Sequence, residues 1–243
     1  MHADWGLQTA SDFGITTLNN PERYGLSLVL GGGEVNLLEF TSAYGIFATE
    51  GQKISPVSIL KIEDSNGNII EQNQKQPTKV LDTQIARQIN SMLSDNVART
   101  PVFGANSQLY FPNNDVAVKT GTTENYNDAW TMGYTPFAAV GVWVGNNDNS
   151  PINRKTGGMI AAPIWHKIMN KLIATNPKEN FTKPDPQQVT KPALNGSLDT
   201  QDTHTILYYI NKDDVLEPQP TNPQTDPQYF NWQAGIDNYL KSH

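Results

Sequence analysis

The chain has 243 residues, a formal net charge of -7 and no cysteine, with a pI near 5.0. That acidity offers no basic field for nucleic acid, and the missing thiols exclude disulfides, thiolate metal sites and a cysteine nucleophile. No apolar run reaches the roughly 18 residues of a membrane helix, and Met1-His2-Ala3-Asp4-Trp5 lacks the basic and apolar blocks of a signal peptide.

Apolar residues make up 37% of the chain, low for a chain packed throughout, so part of it is expected outside any core. Residues 1–30 read as short segments broken by Gly14, Pro21 and Gly25. A helix is expected over 34–49, where Leu37, Leu38, Thr41, Tyr44, Gly45 and Ala48 share helical spacing and Gly51 offers a C-cap. Branched residues from Pro56 to Ile70 around Asp64-Ser65-Asn66-Gly67 predict a β-hairpin. Asp82 reads as the N-cap of a second helix with a stripe of Ile85, Ile89, Met92 and Leu93, ending near Asn96, before Pro101 and a polar loop.

Three apolar runs follow, over 116–122, 128–134 and 137–144, joined by Glu124-Asn125-Tyr126-Asn127 and Thr135-Pro136. Such short connections imply an antiparallel meander. A third helix is expected over 161–173, with Pro163 in its first turn and Ile164, Trp165, Ile168 and Leu172 on one face. From Pro177 the chain turns proline-rich, and Pro184-Asp185-Pro186 and Pro218-Gln219-Pro220 read as extended linker. Within this tail 205–210 is strand-like and 232–240 suits a short helix. The fold expected is α+β, an antiparallel sheet flanked by helices over 1–184, followed by an irregular tail over 185–243.

One segment points to chemistry. Val116-Ala117-Val118 leads into Lys119-Thr120-Gly121-Thr122-Thr123. On a strand Lys119 and Gly121 face one way and Thr120 the other. A glycine there lets a substrate backbone lie along the strand edge, and a lysine at a cleft edge attracts a carboxylate. Lys-Thr-Gly alone is a weak tripeptide, but the flanks add to it: Asp128-Ala129-Trp130, Met132-Gly133-Tyr134-Thr135-Pro136, Val140-Gly141-Val142-Trp143-Val144-Gly145, Gly157-Gly158 and Ala161-Ala162-Pro163-Ile164-Trp165. Upstream stand Leu30-Gly31-Gly32, Glu34-Val35 and Ala43-Tyr44-Gly45-Ile46-Phe47-Ala48. Over residues 5–184 this succession resembles the transpeptidase domain of bifunctional, class A penicillin-binding proteins, whose signature motifs are Ser-x-x-Lys, Ser-x-Asn and Lys-Thr-Gly.

The resemblance implies a serine DD-transpeptidase of peptidoglycan synthesis. A serine attacks a D-alanyl-D-alanine stem peptide, D-alanine leaves, and an amine of a second stem peptide resolves the acyl-enzyme; β-lactams trap the serine. It implies that Lys119 is catalytic, and that Lys119, Thr120, Gly121 and Thr122 bind substrate. Lys119 and Thr122 would hold the terminal carboxylate, and the Thr122 N–H would serve as an oxyanion donor. The implied ligands are the stem peptide and β-lactams, with neither cofactor nor metal, and the parent protein would act on the extracytoplasmic face of the cell membrane.

Two further matches complete the signature on paper. Ser58-Ile59-Leu60-Lys61 fits Ser-x-x-Lys, and Ser94-Asp95-Asn96 fits Ser-x-Asn. The first reads as a strand, where positions i and i+3 face apart, so the lysine would not reach the serine. The second reads as the polar end of a helix. In the family the true motifs precede the region matched by residues 5–50, so the domain is expected to be incomplete at its N-terminus, the missing part being a partner of this chain. The isolated chain is then expected to be inactive. Alternatives are a non-catalytic stem-peptide-binding module, or a small β-lactamase or peptidase using Ser58. Lys155-Thr156-Gly157 follows no apolar strand, Asn146-Asn147-Asp148-Asn149 lacks calcium-loop spacing, and His2, His166, His204 and His243 lack metal spacing.

Overall fold

The structure, a computed structural model, describes residues 3–152, 155–186, 222 and 229–242. The chain forms two units, Met1–Pro184 and Asp185–His243.

The first unit opens with α1 (Ala3–Asp12), where the sequence suggested only broken segments. Gly6 hides its pattern. Thr9 Oγ1 to Trp5 O (2.9 Å) and Gln8 Nε2 to Asp12 Oδ1 (3.0 Å) brace it at i,i+4 spacing. Two short 3₁₀ turns, Pro21–Arg23 and Leu26–Leu30, lead to α2 (Leu37–Ala48). It begins three residues later than expected because Asn36 is the cap, its side chain accepting from Leu38 N and Glu39 N.

At the far end of α2, Gly51 N donates to Ile46 O (2.7 Å) and Glu50 N to Phe47 O (3.2 Å). This is the paired closure of a Schellman motif. The left-handed position that glycine usually fills is held by Glu50, at φ 55. Two bonds from Arg87 to the Glu50 carboxylate, at 2.8 and 3.0 Å, hold it there. Gly51 follows at φ 94, and a Cβ on it would lie 2.1 Å from Leu81 O, so this position needs glycine.

β1 (Gln52–Lys53) pairs antiparallel with β4 (Thr78–Lys79). Between them β2 (Lys61–Glu63) and β3 (Ile69–Gln72) form the expected hairpin. Its turn is tied by the Asp64 carboxylate, which accepts from Asn66 N, Asn68 N and Asn68 Nδ2. The strand expected from Pro56 onward starts only at Lys61.

α3 (Thr83–Ser94) starts at Asp82, as expected, with that carboxylate accepting from Gln84 N and Ile85 N. Its buried stripe differs from the reading. Ala86 and Asn90 are buried, while Ile85 and Met92 are exposed. The reason is close approach: Asn90 meets Tyr134 Oη (2.7 Å) and Phe47 O (3.0 Å), pairing polar groups that burial would otherwise leave unsatisfied. The polar loop expected next is α4 (Asn96–Phe103), capped by Asp95 and containing Pro101. Arg99 explains the tight junction, donating to Leu93 O (2.7 Å) and Asp95 O (3.2 Å) at the end of α3.

β5 (Ala117–Thr122), β6 (Asp128–Thr135) and β7 (Ala138–Gly145) form the antiparallel meander in that order. The register pairs Lys119 with Met132, Gly121 with Trp130 and Thr122 with Ala129. α5 (Gly157–Thr175) packs on one face through Val116, Val118, Ala129, Val142, Ala161, Ala162, Trp165 and Met169. On the other face Gly141 admits Thr41 of α2, whose Oγ1 lies 2.1 Å from where a Cβ would stand. α5 starts four residues earlier than expected, so Pro163 lies beyond its first turn. The expected stripe is corrected too. Ile164 and Ile168 are exposed, and small Ala161 and Ala162 are buried beside Trp165 and Met169, because the helix lies close on the sheet.

In the second unit α6 (Tyr229–Ser242) replaces the short helix expected at 232–240. The strand-like run at 205–210 lies outside the described residues. Among the described residues no helix is long and apolar enough to cross a membrane.

Candidate functional site

Lys119, Thr120, Gly121 and Thr122 are the last four residues of β5, at the edge of the sheet. Lys119 shares its face with Met132 and Trp130, the side covered by α2, and its ammonium donates to Thr120 O (2.6 Å). Thr120 and Thr122 fall on the α5 face. The Thr122 side chain is exposed, yet its Oγ1 accepts a hydrogen bond from Gly157 N (3.0 Å) at the start of α5.

The glycines near this strand separate into two kinds. A Cβ on Gly133 would lie 2.3 Å from the Trp165 ring, and one on Gly157 would lie 2.4 Å from both Gly121 O and Trp130 O. Packing dictates these. A Cβ on Gly121 would meet only Trp130 Cβ at 3.5 Å, an ordinary contact. Among the described residues, nothing around Gly121 requires a glycine.

The turn after the strand is held firmly. Thr123 and Asp128 exchange three hydrogen bonds, Thr123 N to Asp128 O, Asp128 N to Thr123 Oγ1, and Thr123 Oγ1 to Asp128 Oδ2. The other Asp128 oxygen accepts from Trp143 Nε1 (2.6 Å). Asn125 and Tyr126 both sit at φ 60, and Tyr126 O receives Ile152 N (2.8 Å). A bulky residue held at positive φ is a strained element beside the Lys-Thr-Gly strand. Trp130 packs between Phe40 (centroids 6.0 Å) and Trp143 (6.4 Å), giving this end of the sheet an aromatic flank.

The other motif matches do not gather here. Ser58 lies on a bend ahead of β2, and Lys61 Nζ lies 2.7 Å from Glu63 Oε1. Neither residue is on a helix, so the one-turn spacing a serine–lysine pair needs is not met. Ser94 ends α3, Asp95 caps α4, and Asn96 Nδ2 donates to Ala105 O (2.9 Å). Thr156 and Gly157 of the third Lys-Thr-Gly match open α5. His166 is structural, with Nδ1 2.8 Å from Gln108 O and its ring stacked on Phe111. Among the described residues no group of three or more His, Cys, Asp and Glu could hold a metal ion.

Sequence reasoning missed the role of Gly157. The signal was present, since Gly157-Gly158 stands before a helix, but the atoms that demand it belong to distant strands.

An antiparallel sheet with α5 on one face, α2 on the other and a Lys-Thr-Gly strand at its edge is an α+β arrangement of the penicillin-binding type. Residues 5–170 match the family model for the penicillin-binding protein transpeptidase domain. The chain belongs to that family. It is 35% identical over 168 residues to penicillin-binding protein 1A of Aquifex aeolicus, covering 69% of this chain and 22% of that protein. With penicillin-binding protein 2D of Bacillus subtilis it shares 32% over 183 residues, 73% of this chain and 26% of the relative. The chain thus spans about a quarter or less of the length of these curated relatives. Its fold matches PonA1 of Mycobacterium tuberculosis solved with penicillin V, with TM-score 0.62 at 23% identity, over 73% of this chain and 51% of that one. It also matches penicillin-binding protein 1A of Haemophilus influenzae, with TM-score 0.61 at 20% identity, over 74% of this chain and 32% of that one.

Proposed function

We propose that this chain supplies the substrate-binding wall of a peptidoglycan DD-transpeptidase, with Lys119–Thr122 as the strand along which a D-alanyl-D-alanine stem peptide or a β-lactam lies. The observation that carries this reading is Gly121. It stands at a sheet edge where its own chain makes no demand for glycine, so the open space is best explained by a ligand backbone. Lys119 supplies a cation on the same strand, and among the described residues its partner is the neighbouring Thr120 carbonyl. Exchanging that neutral acceptor for a carboxylate adds the attraction of opposite charges to a bond whose donor is already ionised. The Thr120 and Thr122 hydroxyls offer further donors, and the Thr122 N–H serves as one donor for the oxyanion that forms during acyl transfer.

The nucleophile belongs to a segment outside these 243 residues. Ser58 has no helical lysine partner, and the charge of Lys61 is engaged by Glu63. The chain therefore binds but does not turn over, and the complete parent acts on the extracytoplasmic face of the membrane.

The test uses intact-protein mass spectrometry after incubation with benzylpenicillin, on chain shown to be folded by circular dichroism. No covalent adduct is expected. In parallel, titration with N,N′-diacetyl-L-lysyl-D-alanyl-D-alanine should shift the backbone NMR signals of residues 119–122 saturably, and Gly121→Ala should abolish those shifts without unfolding the chain. An adduct on Ser58 overturns the division of labour between this chain and a second segment. Unmoved signals at 119–122 overturn the binding strand itself.

A further inference from the structure

The start of α5 contains an arrangement that the carboxylate-binding reading does not by itself require. The first amide of a helix has no intrahelical acceptor and needs one from elsewhere. Thr156, the residue in the capping position, makes no side-chain capping bond to α5. The acceptor of the Gly157 amide is Thr122 Oγ1, 3.0 Å away on the substrate strand. The carbonyl of the same residue accepts from Thr131 Oγ1 on β6 (3.3 Å). Gly157 is thus pinned to the sheet by a hydrogen bond on each side of its Cα. A Cβ on it would lie 2.4 Å from Gly121 O and Trp130 O, so only glycine brings the helix start this close to the strand.

A threonine hydroxyl has one proton to donate and two lone pairs to accept with. With one lone pair taken by the Gly157 N–H, the hydroxyl proton is turned away from that amide by like-dipole repulsion. Thr122 is exposed, so the proton is directed to the open side of the strand, where a ligand carboxylate would lie. We propose that Gly157 is a positioning residue: its amide fixes the Thr122 hydroxyl as a hydrogen-bond donor to the ligand's carboxylate, coupling the seat of α5 to ligand affinity. This rests on the reading of Lys119–Thr122 as the carboxylate-binding strand.

Peptide affinity for the full 243-residue chain is measured by NMR titration with N,N′-diacetyl-L-lysyl-D-alanyl-D-alanine. Thr122→Val should weaken binding roughly tenfold or more, the usual effect of deleting a hydrogen bond to a charged group, while Thr122→Ser stays close to the parent. Gly157→Ala should weaken binding to a similar degree. In the Thr122→Val background, however, Gly157→Ala should weaken it by less than in the parent, because the two changes share the Thr122–Gly157 bond. Fully additive losses would make Gly157 a packing residue only and overturn the proposal, as would parental affinity in Gly157→Ala.

Hydrogen exchange of the Gly157 amide gives a readout without ligand and without changing Gly157. Protection should fall in Thr122→Val and persist in Thr122→Ser. An amide still protected in Thr122→Val would show that the bond is not the one that orients Thr122, and would end the proposal while leaving the binding strand intact. A parent chain that keeps this protection pattern but binds no peptide would instead bring down the carboxylate-site reading, and this proposal with it.

Discussion

The β5–β7 meander and the β2–β3 hairpin look alike as sequences, runs of branched apolar residues around short polar turns, but they end in opposite environments. In the meander, helices cover both faces, and Ala129, Met132, Tyr134 and Val142 are buried. In the hairpin and the segment leading into it, Ile59, Leu60 and Ile70 are 61%, 69% and 68% exposed, and among the described residues β2 and β3 pair with each other and no other strand. Alternation of apolar residues therefore reports that a strand will pair. It does not report that the paired face will be covered. Two-stranded hairpins are marginal alone, and this one holds its shape through the Asp64 turn rather than through a core.

The comparison breaks most sharply at Trp165. Its ring is fully buried, its Nε1 donates to Val140 O (3.1 Å), and it fills the space that Gly133 leaves open. Trp165→Ala should cost about 3–5 kcal/mol, enough to unfold a marginal domain. Thermal or urea unfolding followed by circular dichroism checks this. A loss below about 1 kcal/mol would mean that α5 is not what covers the sheet.

A smaller effect should come from the junction between the two regions. Glu50 takes the left-handed position after α2 and receives two hydrogen bonds from Arg87. The Arg87 bonds, helped by Thr182 and by the Arg87 and Lys79 charges, hold the Glu50 carboxyl below its ordinary range against the opposing effect of desolvation. The folded-state pKa is thus the lower one. The stabilisation is full above the unfolded value of about 4.3 and is lost as pH falls through the folded value. The pair is partly exposed, at 21% and 39% for the two side chains, so the loss should be roughly 1 kcal/mol or less. In Glu50→Gln the acid side of the stability curve should flatten, and the difference in Tm from the parent should shrink as pH falls. An acid limb as steep as the parent's would assign the effect to other carboxylates.

These outcomes also bear on what the sequence made legible. The meander could be read because each strand alternates and each turn carries a breaker. The strand β5 could be read because Lys119-Thr120-Gly121-Thr122 follows Val116-Ala117-Val118 inside it. Helix faces were misjudged where the helix lies closest to the sheet. There Ala86, Ala161 and Ala162 are buried and larger Ile85, Ile164 and Ile168 are displaced outward, since bulk prevents close approach and a hydrophobicity pattern favours bulk. α4 was hidden by Pro101, although Asp95 is an N-cap in the ordinary sense. The need for glycine at 157 was hidden for a different reason. What forbids a side chain there is the Gly121 and Trp130 carbonyls, and no local pattern can report atoms brought in by the fold.

The smallest expected effect is the one that tests the hairpin as a region without a core. Ile70→Thr keeps the β-branch that suits a strand and exchanges apolar surface that is already mostly in water. The transfer of an exposed group gains little on folding, so the unfolding free energy should change by no more than about 0.5 kcal/mol. The cross-strand register, Lys61 with Gln72 and Ile62 with Glu71, depends on backbone pairing and on the Asp64 turn, neither of which the substitution touches. Backbone NMR shifts should therefore stay in place outside residues 60–72. If Ile70→Thr instead cost as much as a buried substitution, the apolar face of the hairpin would be covered in solution, and its contrast with the meander would disappear. Sedimentation of the parent against the variant would then tell whether a second copy of the chain provides the cover, since only in that case would the substitution shift the oligomer toward monomer.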